Sequence, residues 1–83
     1  MPKQHIEGLI SQLHEKFAVS DTSPQQEALL AEMQSQLDEW EGPKPSSDFL
    51  DNAEMLLQEV EEEHPTLAAI IGEIINALNR MGI

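Results

Sequence analysis

Five side chains able to hold a cation or move a proton stand within six residues: Glu59, Glu61, Glu62, Glu63 and His64. Carboxylates and imidazoles are the ligands of divalent-metal sites, so spacing decides the matter. Zinc is held by His or Cys pairs at helical or turn spacing, and His5, His14 and His64 share no such spacing. Calcium loops alternate oxygen ligands around a glycine-containing turn, and that alternation is absent here. The run reads as the solvated acidic end of a helix followed by a capping histidine, with no metal site. Acid–base catalysis requires paired groups converging in a pocket. His14 adjoins Leu13 at the edge of an apolar stripe and reads as a boundary residue. The sequence has no cysteine nucleophile, no glycine-rich phosphate loop and no local Ser–His–Asp arrangement. No catalytic residue, no cofactor and no enzymatic activity are expected.

A carrier function needs one modifiable serine. Acyl carrier proteins share this length and acidity, and attach phosphopantetheine to the serine of an Asp-Ser-Leu motif opening a helix. Here the order is Ser46-Ser47-Asp48-Phe49-Leu50, with the acid on the wrong side, and Asp21-Thr22-Ser23 runs into Pro24. The departure falls on the residue that carries the chemistry, and the carrier reading is rejected.

The elements that would position any of these groups are helical. The chain has 83 residues, 40% of them hydrophobic, with no tyrosine and no run of β-branched and aromatic residues such as strands need. Ile6, Leu9, Ile10, Leu13 and Phe17 recur at three- and four-residue spacing, predicting a helix over about 3–19. Ser23, Pro24 and Gln26 supply an N-cap, a first-turn proline and a capping-box partner for a second helix over about 24–41, with Leu30, Met33, Leu37 and Trp40 on its stripe. Gly42 can end that helix in the left-handed conformation. Prolines 43 and 45 make residues 42–47 a linker. Ser46 or Ser47 caps a third helix over about 48–62, striped by Leu50, Ala53, Leu57 and Val60. Pro65 breaks the chain after His64 and opens a fourth helix over about 65–81, either folded back as a hairpin or continued as a bent rod. Gly82 and Ile83 have the pattern of a Schellman ending, with Ile83 folding back on Leu78. The reading is all-α: one domain, 1–83, of four short amphipathic helices in a small bundle.

Charge and apolarity are segregated. The net charge is −12, from 16 acidic and 4 basic residues. Twelve of the acids lie between Glu27 and Glu63 with one lysine, whereas from His64 onward there is one acid and one arginine. Such a balance opposes direct binding to nucleic acid or to an anionic membrane surface, both of which require Lys and Arg. It permits a basic protein partner, with Glu54, Glu59, Glu61, Glu62 and Glu63 as the candidate acidic surface. The fourth helix is apolar over half its circumference, and Leu67, Ile70, Ile71, Ile74, Leu78 and Met81 form a candidate interface. A chain of this length buries only about 60% of its unfolded surface, so completion of the bundle as a homodimer is expected. The absence of cysteine, of an apolar leader behind Met1-Pro2-Lys3-Gln4-His5 and of a membrane-length apolar run points to the cytoplasm.

The segment Glu61-Glu62-Glu63-His64-Pro65-Thr66-Leu67-Ala68, with Ala77-Leu78 and the terminal Met81-Gly82-Ile83, resembles the ending of a family of short bacterial proteins, domain of unknown function 4404. Leu9-Ile10-Ser11-Gln12-Leu13 fits the spacing of its first helix. The resemblance implies a short, acidic, helical bacterial protein and brings no catalytic residue with it. From the sequence, the function expected is a non-enzymatic interaction or regulatory module. The alternative is an acidic decoy or adaptor that imitates nucleic acid toward a basic protein.

Overall fold

Proline and serine set the boundaries of the four helices. The computed structural model describes residues 2–83, with side chains from residue 3; Met1, where the expected domain and N-terminal segment begin, lies outside the described residues. Helix α1 is Pro2–Ala18, α2 Pro24–Asp38, α3 Ser47–Val60 and α4 Pro65–Arg80. At the start of α2 the Ser23 hydroxyl accepts from the Gln26 amide (3.1 Å), while Gln26 Oε1 accepts from the Ser23 amide (3.0 Å). The amides of Ser23 and Gln26, two of the donors left without a helical partner at that end, are thereby paired in a closed box. Ser46, rather than Ser47, caps α3, its hydroxyl accepting from the Asp48 amide at 3.1 Å. Gly82, at φ +81°, closes α4 as a Schellman motif: its amide donates to Asn79 and that of Ile83 to the carbonyl of Leu78.

Two helices stop earlier than the periodicity predicts. α2 ends at Asp38 and not near Glu41, because Trp40 leaves the helix to turn its ring into the core. Its indole N–H donates to the Gly42 carbonyl (3.1 Å), and its own carbonyl accepts from Lys3 Nζ (3.0 Å). Asp38, Glu39 and Glu41 also crowd the negative end of the helix dipole with no basic residue in the last turn. α3 ends at Val60 and not near Glu62 for the same electrostatic reason, compounded by the restriction Pro65 places on His64. The other ends fall within a residue of the expected ones. His64 occupies the N-cap position of α4, but its side chain makes no capping hydrogen bond, in contrast to the capping role expected of it.

The helices run alternately up and down around one core. α3 and α4 pack intimately as a hairpin, as do α2 with α3 and α1 with α4, which settles the geometry at Pro65 against a bent rod. Alternation shows in the cross-helix contacts: Lys3 at the start of α1 meets Trp40 beyond the end of α2, and Gln26 at the start of α2 bonds the Glu59 carbonyl near the end of α3. α1 faces α3, and α2 faces α4, diagonally across the core. The α1–α2 pairing is the least intimate of the four seams. Most of the large apolar residues are consumed inside: Ile6, Ile10 and Leu13 from α1, Met33 from α2, Leu67, Ile71, Ile74 and Leu78 from α4. On α3 the fully buried face is Phe49, Ala53, Leu56 and Val60, and Leu50 and Leu57 of the expected stripe are only partly buried. Trp40 and Phe49, flanking the linker, are both buried and close one end of this core.

Two helical glycines occupy positions where a side chain would meet nothing. A Cβ built at Gly8 or Gly72 has no heavy atom within 4 Å outside its own turn. A helical glycine is about 0.5–1 kcal/mol less favourable than alanine, chiefly through the entropy it retains when unfolded. Gly8→Ala and Gly72→Ala are each expected to raise the melting temperature, by roughly 4–8 °C per kcal/mol in a domain of this size. Thermal unfolding followed by circular dichroism checks this; a fall in either variant would show that the glycine is needed where it stands.

Candidate interaction surfaces

The acidic run does not assemble into a chelating site. Glu59 lies in the last turn of α3, Glu61 caps it, Glu62 and Glu63 follow in the turn, and the carboxylate-bearing residues are exposed. Among the described residues, no group of three or more His, Asp or Glu side chains is placed to share a metal ion. Glu54 lies one to two turns earlier, also exposed, so the five candidate acids Glu54, Glu59, Glu61, Glu62 and Glu63 all stand in solvent on α3 and the turn after it.

The seam between the two acidic helices is crossed by neutral amides. Asn52 Nδ2 of α3 donates to Gln36 Oε1 of α2 (3.0 Å), and Gln26 Nε2 donates to the backbone carbonyl of Glu59 (3.2 Å). Carboxylates facing each other there would repel, whereas amides link the helices without adding charge.

The three histidines lie apart. His5 shares the α1–α4 surface with Glu73, Asn76 and Arg80, around a shallow depression of about 310 Å³. His14 Nε2 stands 3.0 Å from Gln34 Oε1, and Gln34 Nε2 donates to Asp38 Oδ1 at 3.0 Å. Because the Gln34 amide nitrogen is directed at a carboxylate, its oxygen must be the acceptor, which puts a proton on His14 Nε2. This chain ties α1 to α2 and makes His14 a boundary residue with a structural partner.

The candidate apolar interface divides in two. Leu67, Ile71, Ile74 and Leu78 are buried by the other helices of the same chain, and only Ile70 and Met81 keep partial exposure. One chain therefore supplies the cover that this stripe needs.

Periodicity gave no indication of two features. Lys3 is one: besides its bond to the Trp40 carbonyl, its ammonium lies 6.0 Å from the centroid of the Trp40 ring, at the outer limit of a cation–π contact. The other is an open groove of about 480 Å³ between the end of α1 and the start of α2, lined by His14, Phe17, Ala18, Ser20, Glu27, Leu30 and Ala31. Its only trace in the sequence is the small size of Ala18 and Ala31, which leaves the space between the two helices unfilled.

These features define an acidic four-helix bundle whose apolar stripes close on themselves and whose free surface is carboxylate-rich. Among the described residues no helix is long and apolar enough to cross a membrane. The chain belongs to the family described as domain of unknown function DUF4404, which matches residues 3–83 and so extends the likeness of the last quarter to nearly the whole chain. No curated protein and no solved structure matches it.

Proposed function

We propose that this protein is a non-enzymatic protein–protein interaction module, regulatory in effect, that acts by presenting its surface to a basic partner. The observation that supports this reading is the exposure of Glu54, Glu59, Glu61, Glu62 and Glu63 together, while the large apolar stripes are spent on the protein's own core. A surface of this kind attracts cationic proteins and accelerates encounter with them. The contiguity of Glu59 with Glu61–Glu63 favours one special form of it, a decoy for a protein that ordinarily grips nucleic-acid phosphates.

Affinity capture from the native cell extract, at low and high salt, tests the proposal. The expected outcome is a set of basic proteins retained at low ionic strength, released as added salt shortens the Debye length below about 10 Å, and lost when all five glutamates are replaced by glutamine. Competition by duplex DNA for the same proteins would select the decoy form. A retained set that ignores both salt and the five substitutions would overturn the acidic-surface reading.

A further inference from the structure

The α2–α3 face is bounded by two amide bridges, Asn52 to Gln36 at one end and Gln26 to the Glu59 carbonyl at the other. Met55 lies on α3 between them, one turn after Asn52 and one turn before Glu59. It is 50% exposed, and only Val19 exceeds it among the large hydrophobic residues described. A methionine at a surface offers a flexible, polarisable side chain that adapts to an incoming apolar group. Helix geometry sets Asp51 and Glu59 beside it at i−4 and i+4, both exposed. On α2, Leu29 and Glu32 precede Gln36 by seven and four residues, which puts them on the edge that carries the bridge to α3. Leu29 is partly buried and Glu32 exposed. The face is an apolar centre, Met55 with Leu29, set among carboxylates from both helices.

The cations of the chain lie elsewhere. Of its four basic residues, Lys3 is bonded to the Trp40 carbonyl, Lys16 is in the last turn of α1, and Arg80 is on the α1–α4 surface beside Glu73. Lys44 borders the face at its Glu32 end, across a depression of about 340 Å³, and its ammonium lies against Gly82 at the end of α4. A second copy docked here by two-fold symmetry would set Glu32, Asp51 and Glu59 against the same three carboxylates. Like charges oppose that contact, and a cationic surface is complementary to it. Lysine and arginine can also lay their aliphatic stems over an apolar centre while their charges reach the carboxylates around it. We infer that the α2–α3 face, centred on Met55, receives from a basic partner protein an apolar side chain flanked by Lys or Arg. This rests on the interaction-module reading and adds to it an apolar anchor and a second helix.

The test follows the methionine methyl resonances of the whole protein during titration with three short peptides. The first carries one central leucine among lysines and serines; the second has serine in place of the leucine; the third has glutamate in place of the lysines. The expected result is that the first peptide shifts the Met55 methyl ahead of that of the buried Met33, and binds roughly tenfold more tightly than the second, as burial of one leucine against Met55 would give. The glutamate peptide is expected not to bind. Met55→Gln, a good helix former at an exposed helical position, should erase the tenfold preference and leave the affinity for the serine peptide unchanged. Asp51→Asn combined with Glu32→Gln should weaken both lysine peptides. Equal affinity for the leucine and serine peptides, a preference that survives Met55→Gln, or lysine-peptide binding unchanged in the Asp51 and Glu32 variant would overturn the Met55 site while leaving the acidic-surface reading intact. No binding of either lysine peptide would overturn both. A Met55 shift that follows protein concentration without peptide would assign the face to a second copy and overturn the inference.

Discussion

Replacing Ile71 by glutamate is expected to abolish the folded state. Ile71 sits at the centre of the α4 stripe and has no exposed surface. The substitution removes a packed aliphatic side chain, worth about 2–5 kcal/mol in a core. It also places a carboxylate where no cation or donor is available, adding several kcal/mol more. Together these match or exceed the whole stability of a chain this size, about 4–12 kcal/mol at ~0.05–0.15 kcal/mol per residue. Far-UV circular dichroism should show loss of helix at all temperatures, while Ile71→Val, which shortens the side chain without charging it, should melt only slightly early. Sedimentation of the glutamate variant separates two explanations. A helical protein of unchanged content and halved mass would mean that the α4 stripe serves a second copy and not the chain's own core.

Truncation of Phe49 to alanine is expected to give the second largest loss, about 3–5 kcal/mol, equivalent to a fall in melting temperature of roughly 15–30 °C. Phe49 has no exposed surface and sits in the first turn of α3, three residues after the Ser46 cap. It belongs to the same core cluster as Trp40, on the other side of the proline linker. The cavity would open where the linker enters the bundle, and a helix end has less neighbouring structure than a helix centre with which to fill it. Trp40 is the only tryptophan, so its fluorescence reports this end of the molecule directly. A red-shifted emission in the folded variant is expected, with most of the stability recovered in Phe49→Leu. A loss under about 1 kcal/mol would show that the site collapses freely and that Phe49 does not fix the linker.

The parts of this structure that were legible in the sequence are those decided within a few residues. Ser23, Pro24 and Gln26 specify a helix start because the hydroxyl and amide that form the box are three residues apart. Gly82 specifies a stop because only the left-handed conformation lets Ile83 reach the Leu78 carbonyl. Trp40 was misplaced inside α2 because the bond that stabilises its departure comes from Lys3, 37 residues away. The stripe of α4 was legible as apolar, but periodicity does not say what covers it; α1 and α3 do. The exposed acids could be named one by one, since a charge run on a helix end faces water. The groove was not legible, because Ala18 and Ala31 carry no signal until α1 and α2 are known to stand side by side.

The intimate pairing of α1 with α4 bears on the order of assembly. Of the four helices described, these are the first and the last along the chain, so the earliest of the four to be made waits longest for its main partner. α2 and α3 can zip together locally, and α3 can then collect α4 across the short turn at His64. α1 reaches its seat only by closing a loop that spans the rest of the chain, and loop closure must precede any reward from the contacts it brings. Until then Ile6, Ile10 and Leu13 are uncovered, and the α1–α2 seam is too loose to shelter them. The bundle looks local, being built of short hairpins, yet its completion depends on its most distant contact.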